Sequence, residues 1–212
     1  MRQWSVIVLG LGFFSNVSAQ SYQLASPDQK IKIEVNNAKN ITWEVQFNQQ
    51  QVLVPSEISM ILRNEVLGKN AKVKKKTYQS VDQKIKANLY KKSEIKDQYN
   101  SLKLDFKGDY SLEFRAYNDG VAYRFLTDKG QPYEVLNENV NFNFANDHAL
   151  HIPYANDPRD KKDFLQTSFE ALYTESKISE FKTNGLSLLP LMVSLEDNAK
   201  AIITEAHING YS

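Results

Sequence analysis

Short runs in which apolar and polar residues alternate recur along most of this 212-residue chain, and they restrict its fold more than any other feature. A period of two places one side of a strand in the core and the other in solvent. The apolar positions are Ile31 and Ile33; Ile41, Trp43, Val45 and Phe47; Leu102, Leu104 and Phe106; Leu112 and Phe114; Val121, Tyr123 and Phe125; and Val140, Phe142 and Phe144. Two more strands are predicted at 51–54 and 58–62, separated by Pro55. This regular spacing predicts an all-β sandwich or barrel of antiparallel strands rather than parallel βαβ units.

The clearest hairpin is predicted in the sequence DYSLEFRAYNDGVAYRF, residues 109–125. Its alternating runs, 112–117 and 121–125, are joined by Asn118, Asp119 and Gly120. An Asp-Gly pair favours a tight turn with positive φ. Asp119 is therefore interpreted as a turn former rather than as a ligand.

A second hairpin is predicted at the end of the chain, where an apolar run at 186–195 and another at 201–203 flank a polar turn at 196–198. Pro190 within the first run implies an edge strand or a bulge. If Ile202 and Ile203 are buried, the strand is a rigid support for the carboxylate of Glu205 that follows it. Glu205 is thus the first candidate for chemistry, and a solvated Glu at a strand end is the alternative.

The first 19 residues have the pattern of a secretory signal peptide. Arg2 supplies positive charge, 4–14 is an apolar run, and Val17-Ser18-Ala19 is a small-residue cleavage pattern. The apolar run is shorter than the roughly 20 residues of a membrane-spanning helix. We therefore predict an exported protein with no membrane insertion after cleavage, whose mature part, 20–212, is one domain. It contains no Cys, so its stability rests on the core alone.

Charge gives no indication of a nucleic-acid partner. The chain has 26 Lys and Arg against 25 Asp and Glu, and removal of Arg2 leaves 25 of each. A balanced chain has no global field that attracts nucleic acid. The densest basic run, around Lys72 to Lys76, lacks interspersed aromatic residues and is interpreted as a solvated strand edge.

Other candidate features are weak. After Asp157 and Pro158, apolar residues at helical spacing up to Leu172 are compatible with a short helix or a structured loop. His148 and His151 are three residues apart, so on one strand they point to opposite faces and do not form a metal pair. No phosphate-binding loop, dinucleotide fingerprint or Gly-x-Ser-x-Gly elbow is present.

Two stretches, RAYNDGVAYRF at 115–125 and LPLMVSLEDNAKAIITEAHINGY at 189–211, together with the leader, resemble the N-terminal domain of glycoside hydrolase family 97. The resemblance implies a large antiparallel β super-sandwich of the galactose-mutarotase kind. In the family this domain packs on a (β/α)8 barrel that carries the catalytic carboxylates. The enzymes are bacterial α-glucosidases and α-galactosidases that act on oligosaccharides in the periplasm.

The same resemblance implies a role for Glu205, because in the family a Glu at the end of the ITEA-like strand binds a calcium ion in the active site. Calcium takes 6 to 8 oxygen ligands, so the remaining ligands would come from the barrel. Since the chain stops at Ser212, we expect a fragment without the barrel, without the last sandwich strands and without catalytic residues of its own.

A different class of function is a free-standing carbohydrate-binding sandwich with exposed aromatic side chains as its platform. Trp43, Tyr117, Tyr123 and Tyr154 are the candidates. For each of them, packing in the core or along a strand is the preferred interpretation.

Overall fold

A computed structural model describes residues 20–88, 91–155, 172–181 and 185–206. The predicted leader at 1–19 and the segment at 157–171, predicted as a helix or a loop, lie outside these ranges. The described residues form antiparallel strands and one 3₁₀ helix, Ile178–Glu180, which confirms the all-β antiparallel prediction. Over these residues there is no helix with the length and apolar character needed to cross a membrane.

The strands are numbered in chain order. They are β1 Gln20–Ala25, β2 Ile31–Asn37, β3 Ile41–Phe47, β4 Gln50–Leu62, β5 Val66–Leu67, β6 Val73–Lys86, β7 Glu94–Phe106, β8 Tyr110–Tyr117, β9 Val121–Thr127, β10 Val135–Val140, β11 Ala149–Ile152, β12 Thr174–Lys177, β13 Leu191–Ser194 and β14 Lys200–Ile203. The sheet orders are β1-β2-β3-β4-β10 with β5 beside β4, β6-β7-β8-β9, and β12-β11-β13-β14. The described residues divide into two compact units, 20–43 with 56–141 and 44–55 with 142–206.

The first unit is a sandwich of two sheets. Alternating side chains of β2, β3, β7 and β8 supply its core, as the sequence pattern predicts. Trp43 of β3 contacts two aromatic rings of the β6–β9 sheet, with centroid distances of 6.1 Å to Phe114 and 5.6 Å to Tyr123. The largest fully buried side chains of this unit are Ile33, Val35, Ile41, Ile58, Leu67, Leu102, Leu104, Phe106, Leu112 and Phe114.

The second unit has a smaller core. β11 lies between β12 and β13, and β14 forms one edge of this sheet. Leu150, Ile152, Tyr154 and Val193 are buried together, with Phe144 among the partly buried side chains against them. Its apolar contacts are therefore concentrated in the two central strands.

Strand β4 runs through Pro55, where the sequence pattern predicts two separate strands. β10 pairs only with residues 58–62 of β4, so the missing N–H of Pro55 removes no hydrogen bond from that ladder. The strand predicted at 140–144 is wrong, because β10 ends at Val140 and Phe144 forms only an isolated bridge with Leu53.

The β8–β9 hairpin is confirmed, with Ala116 opposite Val121. Its turn differs from the prediction, because neither Asp119 nor Gly120 has a positive φ. The Tyr117 N–H donates to the Gly120 carbonyl at 2.8 Å, and the Asn118 side chain accepts a hydrogen bond from the Asp28 N–H at 3.0 Å. Asn118 thus ties the turn to the β1–β2 connection.

The lysine-rich segment forms the edge strand β6, as predicted, and most of its side chains are exposed. β6 and β7 pair along their whole length, but β8 pairs with β7 only between Tyr99 and Phe106. Residues 82–86 and 94–98 therefore form a two-stranded ribbon beyond the end of β8.

Candidate functional site

The predicted C-terminal hairpin is present as β13 and β14, with Val193 opposite Ala201. Only the second half of the long apolar run is strand, since β13 begins at Leu191, directly after Pro190. β13 is an inner strand, so the edge strand or bulge predicted from Pro190 is wrong. A proline without an N–H fits a position just before a strand, where the ladder needs no donor from it.

The turn of this hairpin is held by both backbone and side chains. Asp197 and Asn198 have φ of 53° and 60°, a left-handed conformation that Asp and Asn tolerate better than most residues. The Gln50 side-chain amide donates to the Asp197 carboxylate at 2.9 Å, and the Asn146 amide donates to Glu196 at 2.9 Å. Both turn carboxylates therefore have a structural role.

One face of the hairpin is anchored in the core of the second unit. Val193 is fully buried, and Leu191 and Ala201 pack against the same cluster. The expected burial of Ile202 is wrong, because its side chain is 64% exposed while Ile203 is half-buried. Adjacent residues of a strand point to opposite faces, so Ile202 lies on the face away from Ala201.

Glu205 lies two residues after the end of β14 and is exposed, as are Thr204 and Ala206. The structure therefore places its carboxylate on the surface, next to a strand whose partner is anchored in the core. Carboxylate oxygen is the donor type that calcium prefers. A partner domain could reach this side chain.

Glu205 does not form a complete metal site with its own chain. Across residues 20–88, 91–155, 172–181 and 185–206 there is no group of three or more His, Asp or Glu that could hold a metal ion. Calcium needs 6 to 8 oxygens, so the described residues fit this ion as the source of one ligand and not as the whole site.

The two histidines have separate local contacts. The His148 ring meets the Phe144 ring edge-on at 6.1 Å, and His151 Nε2 lies 3.2 Å from the Ser194 hydroxyl. These contacts are of the kind that position side chains in a sheet.

The four aromatic candidates do not form an exposed platform. Trp43 and Tyr154 are buried, Tyr123 is half-buried beside Trp43, and Tyr117 packs against Tyr99 at 5.0 Å. A sugar-binding platform needs exposed ring faces, so these residues are better explained as packing.

Three described carboxyl groups, those of Asp28, Asp105 and Asp147, have lowered pKa values, and each accepts hydrogen bonds from its own chain. The Ser111 hydroxyl, at 2.7 Å, is the main cause that lowers the pKa of Asp105, and Lys103 adds to it. The pKa of Asp147 is lowered first by the backbone N–H of Ser179 and then by its hydroxyl, each at 2.9 Å. These contacts stabilise the ionised carboxylates.

Comparisons with known proteins agree with the fold. Residues 24–212 match the glycosyl-hydrolase 97 N-terminal family. The chain is 38% identical over 215 residues to the retaining alpha-galactosidase of Bacteroides thetaiotaomicron. The aligned region covers 100% of this chain but only 32% of that enzyme.

Solved structures show the same architecture. A glycoside hydrolase family 97 enzyme from Pseudoalteromonas sp. strain K8, solved with panose and with acarbose, has a TM-score of 0.68 and 20% identity, covering 83% of this chain and 27% of that one. A beta-arabinopyranosidase matches with a TM-score of 0.73 and 19% identity, and the match covers 89% of this chain and 32% of that enzyme. At these identities the likeness concerns the fold. Taken with the match over residues 24–212, it leads to one conclusion: the chain belongs to the glycosyl-hydrolase 97 N-terminal family.

Proposed function

We propose that this chain is the N-terminal domain of an exported, calcium-dependent α-glycosidase and that Glu205 supplies one ligand to a calcium ion in the active site. The observation that carries the proposal is the exposed position of Glu205, two residues after the end of β14. The remaining ligands and the catalytic carboxylates would belong to a (β/α)8 domain. The chain spans about a third of the length of its curated relative, so the activity concerns a longer protein.

The role of the hairpin is to hold one oxygen donor in place. Glu205 follows a strand that pairs with β13, and β13 is fixed by the buried Val193. A ligand near a rigid element loses less conformational entropy on binding than a ligand on a free loop. When bound, calcium could polarise a leaving group or position a water molecule.

The proposed substrates are oligosaccharides with α-glycosidic bonds. The relative from Bacteroides thetaiotaomicron is named a retaining alpha-galactosidase, whereas the less similar enzyme from Pseudoalteromonas was solved with panose and acarbose. The higher identity favours an α-galactoside. Both an aryl α-galactoside and an aryl α-glucoside belong in the assay.

The decisive experiment uses the full-length enzyme and the substitution Glu205→Gln, which keeps the size of the side chain and removes its charge. Calcium affinity is measured by titration calorimetry after chelation, and activity on both aryl glycosides is measured over a calcium series. We expect calcium affinity to fall by about tenfold or more, because the amide keeps an oxygen donor but removes one negative charge from the ligands, and the charge count of the ligands sets calcium affinity. Activity should fall and recover in part at high calcium.

The matched control is Glu196→Gln in the turn of the same hairpin. Its amide oxygen can still accept the hydrogen bond from Asn146, so it tests a charge loss nearby without a proposed ligand role. Unchanged calcium affinity in Glu205→Gln, or an equal loss in both variants, would remove Glu205 from the calcium site.

Export is tested separately by N-terminal sequencing of the protein from a periplasmic fraction. Cleavage after Ala19 predicts a mature protein that begins at Gln20. Recovery of the uncleaved chain from the cytoplasm alone would contradict this part of the proposal.

A further inference from the structure

The hairpin that leads to Glu205 has its turn and its open end held by different contacts. Glu196 and Asp197, whose hydrogen bonds fix the turn, are at one end. At the other end, Ile203, the last residue of the edge strand β14, pairs with Leu191, the first residue of β13. The direction in which the chain continues toward Glu205 therefore depends on how the start of β13 is fixed.

The segment just before β13 is paired with the residues that follow β11. The Leu188 N–H donates to the Pro153 carbonyl at 2.9 Å. The Ala155 N–H donates to the Leu186 carbonyl at 2.8 Å, and an isolated antiparallel bridge lies between the two bonds. Leu188 is two residues before Pro190, so these bonds stop short of the junction with β13.

Tyr173 makes a contact at that junction. Its hydroxyl donates a hydrogen bond to the Pro190 carbonyl at 2.9 Å. Tyr173 directly precedes β12, and Pro190 directly precedes β13. Because β12 and β13 lie on either side of β11, this hydrogen bond spans the central strand at the end where both flanking strands begin. It holds the peptide group that joins Pro190 to Leu191.

A tyrosine suits this contact for reasons of length and stiffness. Neighbouring strands lie about 4.8 Å apart, so β12 and β13 are separated by roughly 10 Å. A Ser or Thr hydroxyl is too short to span this distance, and a Lys or Arg side chain would lose more rotamer freedom. The Tyr173 side chain is 53% exposed, so removal of the hydroxyl alone changes the hydrogen bond with little change in packing.

We propose that Tyr173 is a positioning residue for Glu205. By holding the Pro190 carbonyl, it fixes the pair of Leu191 and Ile203, from which the chain continues for two residues to Glu205. A ligand whose supporting strand is fixed loses less conformational entropy on binding. The functional part of this inference rests on the proposed calcium role of Glu205, whereas the effect of Tyr173 on the hairpin does not depend on calcium.

The first experiment measures the hairpin alone, by amide hydrogen exchange of the 212-residue chain in excess chelator. In Tyr173→Phe, which removes only the hydroxyl, the amides that pair β13 with β14 should exchange about three- to tenfold faster, the effect of one lost neutral hydrogen bond. The matched control is Tyr133→Phe. Tyr133 is 48% exposed in the first unit, and its hydroxyl accepts a hydrogen bond from Thr127 at 2.8 Å. This control should leave exchange in β13 and β14 unchanged.

The second experiment measures calcium affinity of the full-length enzyme by titration calorimetry. Tyr173→Phe should weaken calcium binding by about threefold, and Tyr133→Phe should not. The same change is then made together with Glu205→Ala, which removes the ligand completely. In that background Tyr173→Phe should cause no further loss, since the group that it positions is absent. A variant that only destabilised the domain would lose affinity in both backgrounds.

The outcomes separate this inference from the proposed function. Equal exchange rates in Tyr173→Phe and Tyr133→Phe would overturn the role of Tyr173 in the hairpin. If Glu205→Ala weakens calcium binding but Tyr173→Phe does not, or if Tyr173→Phe costs the same affinity in both backgrounds, the positioning role alone is wrong. Unchanged calcium affinity in Glu205→Ala would overturn the proposed function and the positioning role together.

Discussion

The sheets β6–β9 and β11–β14 show how the same antiparallel pairing can be supported by very different cores. In the first sheet, Leu102, Leu104, Phe106, Leu112 and Phe114 are fully buried. In the described part of the second sheet, Ile152 and Val193 are the large side chains buried to that extent. The second unit also exposes apolar side chains, among them Leu172 at 90% and Ile202 at 64%. The β6–β9 sheet exposes Tyr78, Ile85 and Ile95 at 40–49% as well, so the two sheets differ in their cores and not in the exposure of apolar side chains.

This difference indicates a division of roles. A sheet with a full core contributes most of the stability of a domain, while a sheet with few buried contacts can open locally at a lower free energy. If the two sheets differ in this way, substitutions in their cores should lower the free energy of unfolding by different amounts.

The largest effect is expected for Phe114→Ala in β8. This side chain is fully buried and meets both Trp43 and Tyr123, so its removal leaves a cavity between the two sheets of the first unit. We expect a loss of about 3–5 kcal/mol in the free energy of unfolding, measured by urea denaturation followed by circular dichroism. Leu136→Ala, at an exposed position, is the control and should change stability by less than about 0.5 kcal/mol.

A smaller effect is expected for Val193→Ala in β13. The side chain is fully buried, but it is smaller and its cluster has fewer members. The loss should be about 2 kcal/mol, from the methyl groups removed and the space they leave. A loss as large as that of Phe114→Ala would contradict the contrast between the two cores.

Asp105 in the first unit and Asp147 in the second both have lowered pKa values, so the pH dependence of the two units can be compared. A lowered folded-state pKa gives stability that is fully present above the ordinary value of about 3.9 and is lost as the pH falls through the folded-state value. Because the main cause at Asp105 is a side-chain hydroxyl and at Asp147 a backbone N–H, Ser111→Ala should raise the Asp105 pKa more than Ser179→Ala raises that of Asp147. Carbon-detected NMR titration of the carboxyl groups measures both. Equal rises of the two pKa values would contradict the prediction that the serine hydroxyl matters more to Asp105 than to Asp147.

The smallest effect is expected for Ile202→Thr on β14. Both residues are β-branched and fit a strand, and the side chain is mostly exposed, so the free energy of unfolding should change by less than about 0.5 kcal/mol. Thermal and urea unfolding of the 212-residue chain are the measurements. A loss above about 1 kcal/mol would mean that this face is covered in solution.

Strands with one buried face could be predicted from the sequence, and others could not. The runs of β2, β3, β7, β8 and β9 alternate because one side faces the core. β10 could not be predicted in its true position, because its VLNENV sequence is almost entirely exposed and gives little alternation. β11 and β12 have only four residues each, too few for a period to be distinguished.

The candidate site was predictable in position but not in chemistry. The hairpin pattern places Glu205 after a strand, as the structure does. Spacing cannot indicate calcium, because the other ligands would have to be brought by a different part of the protein.

The two-stranded ribbon at residues 82–86 and 94–98 has a kinetic consequence. An isolated pair of strands is only marginally stable in water, and among the described strands none pairs with this ribbon as a third. Its amide hydrogens should exchange with deuterium through openings of the ribbon alone. Those exchange rates should stay the same in Phe114→Ala, while the protected amides of β8 exchange faster. The exchange rates of the ribbon therefore provide an internal reference, in the same sample, for measuring how much the sandwich is weakened.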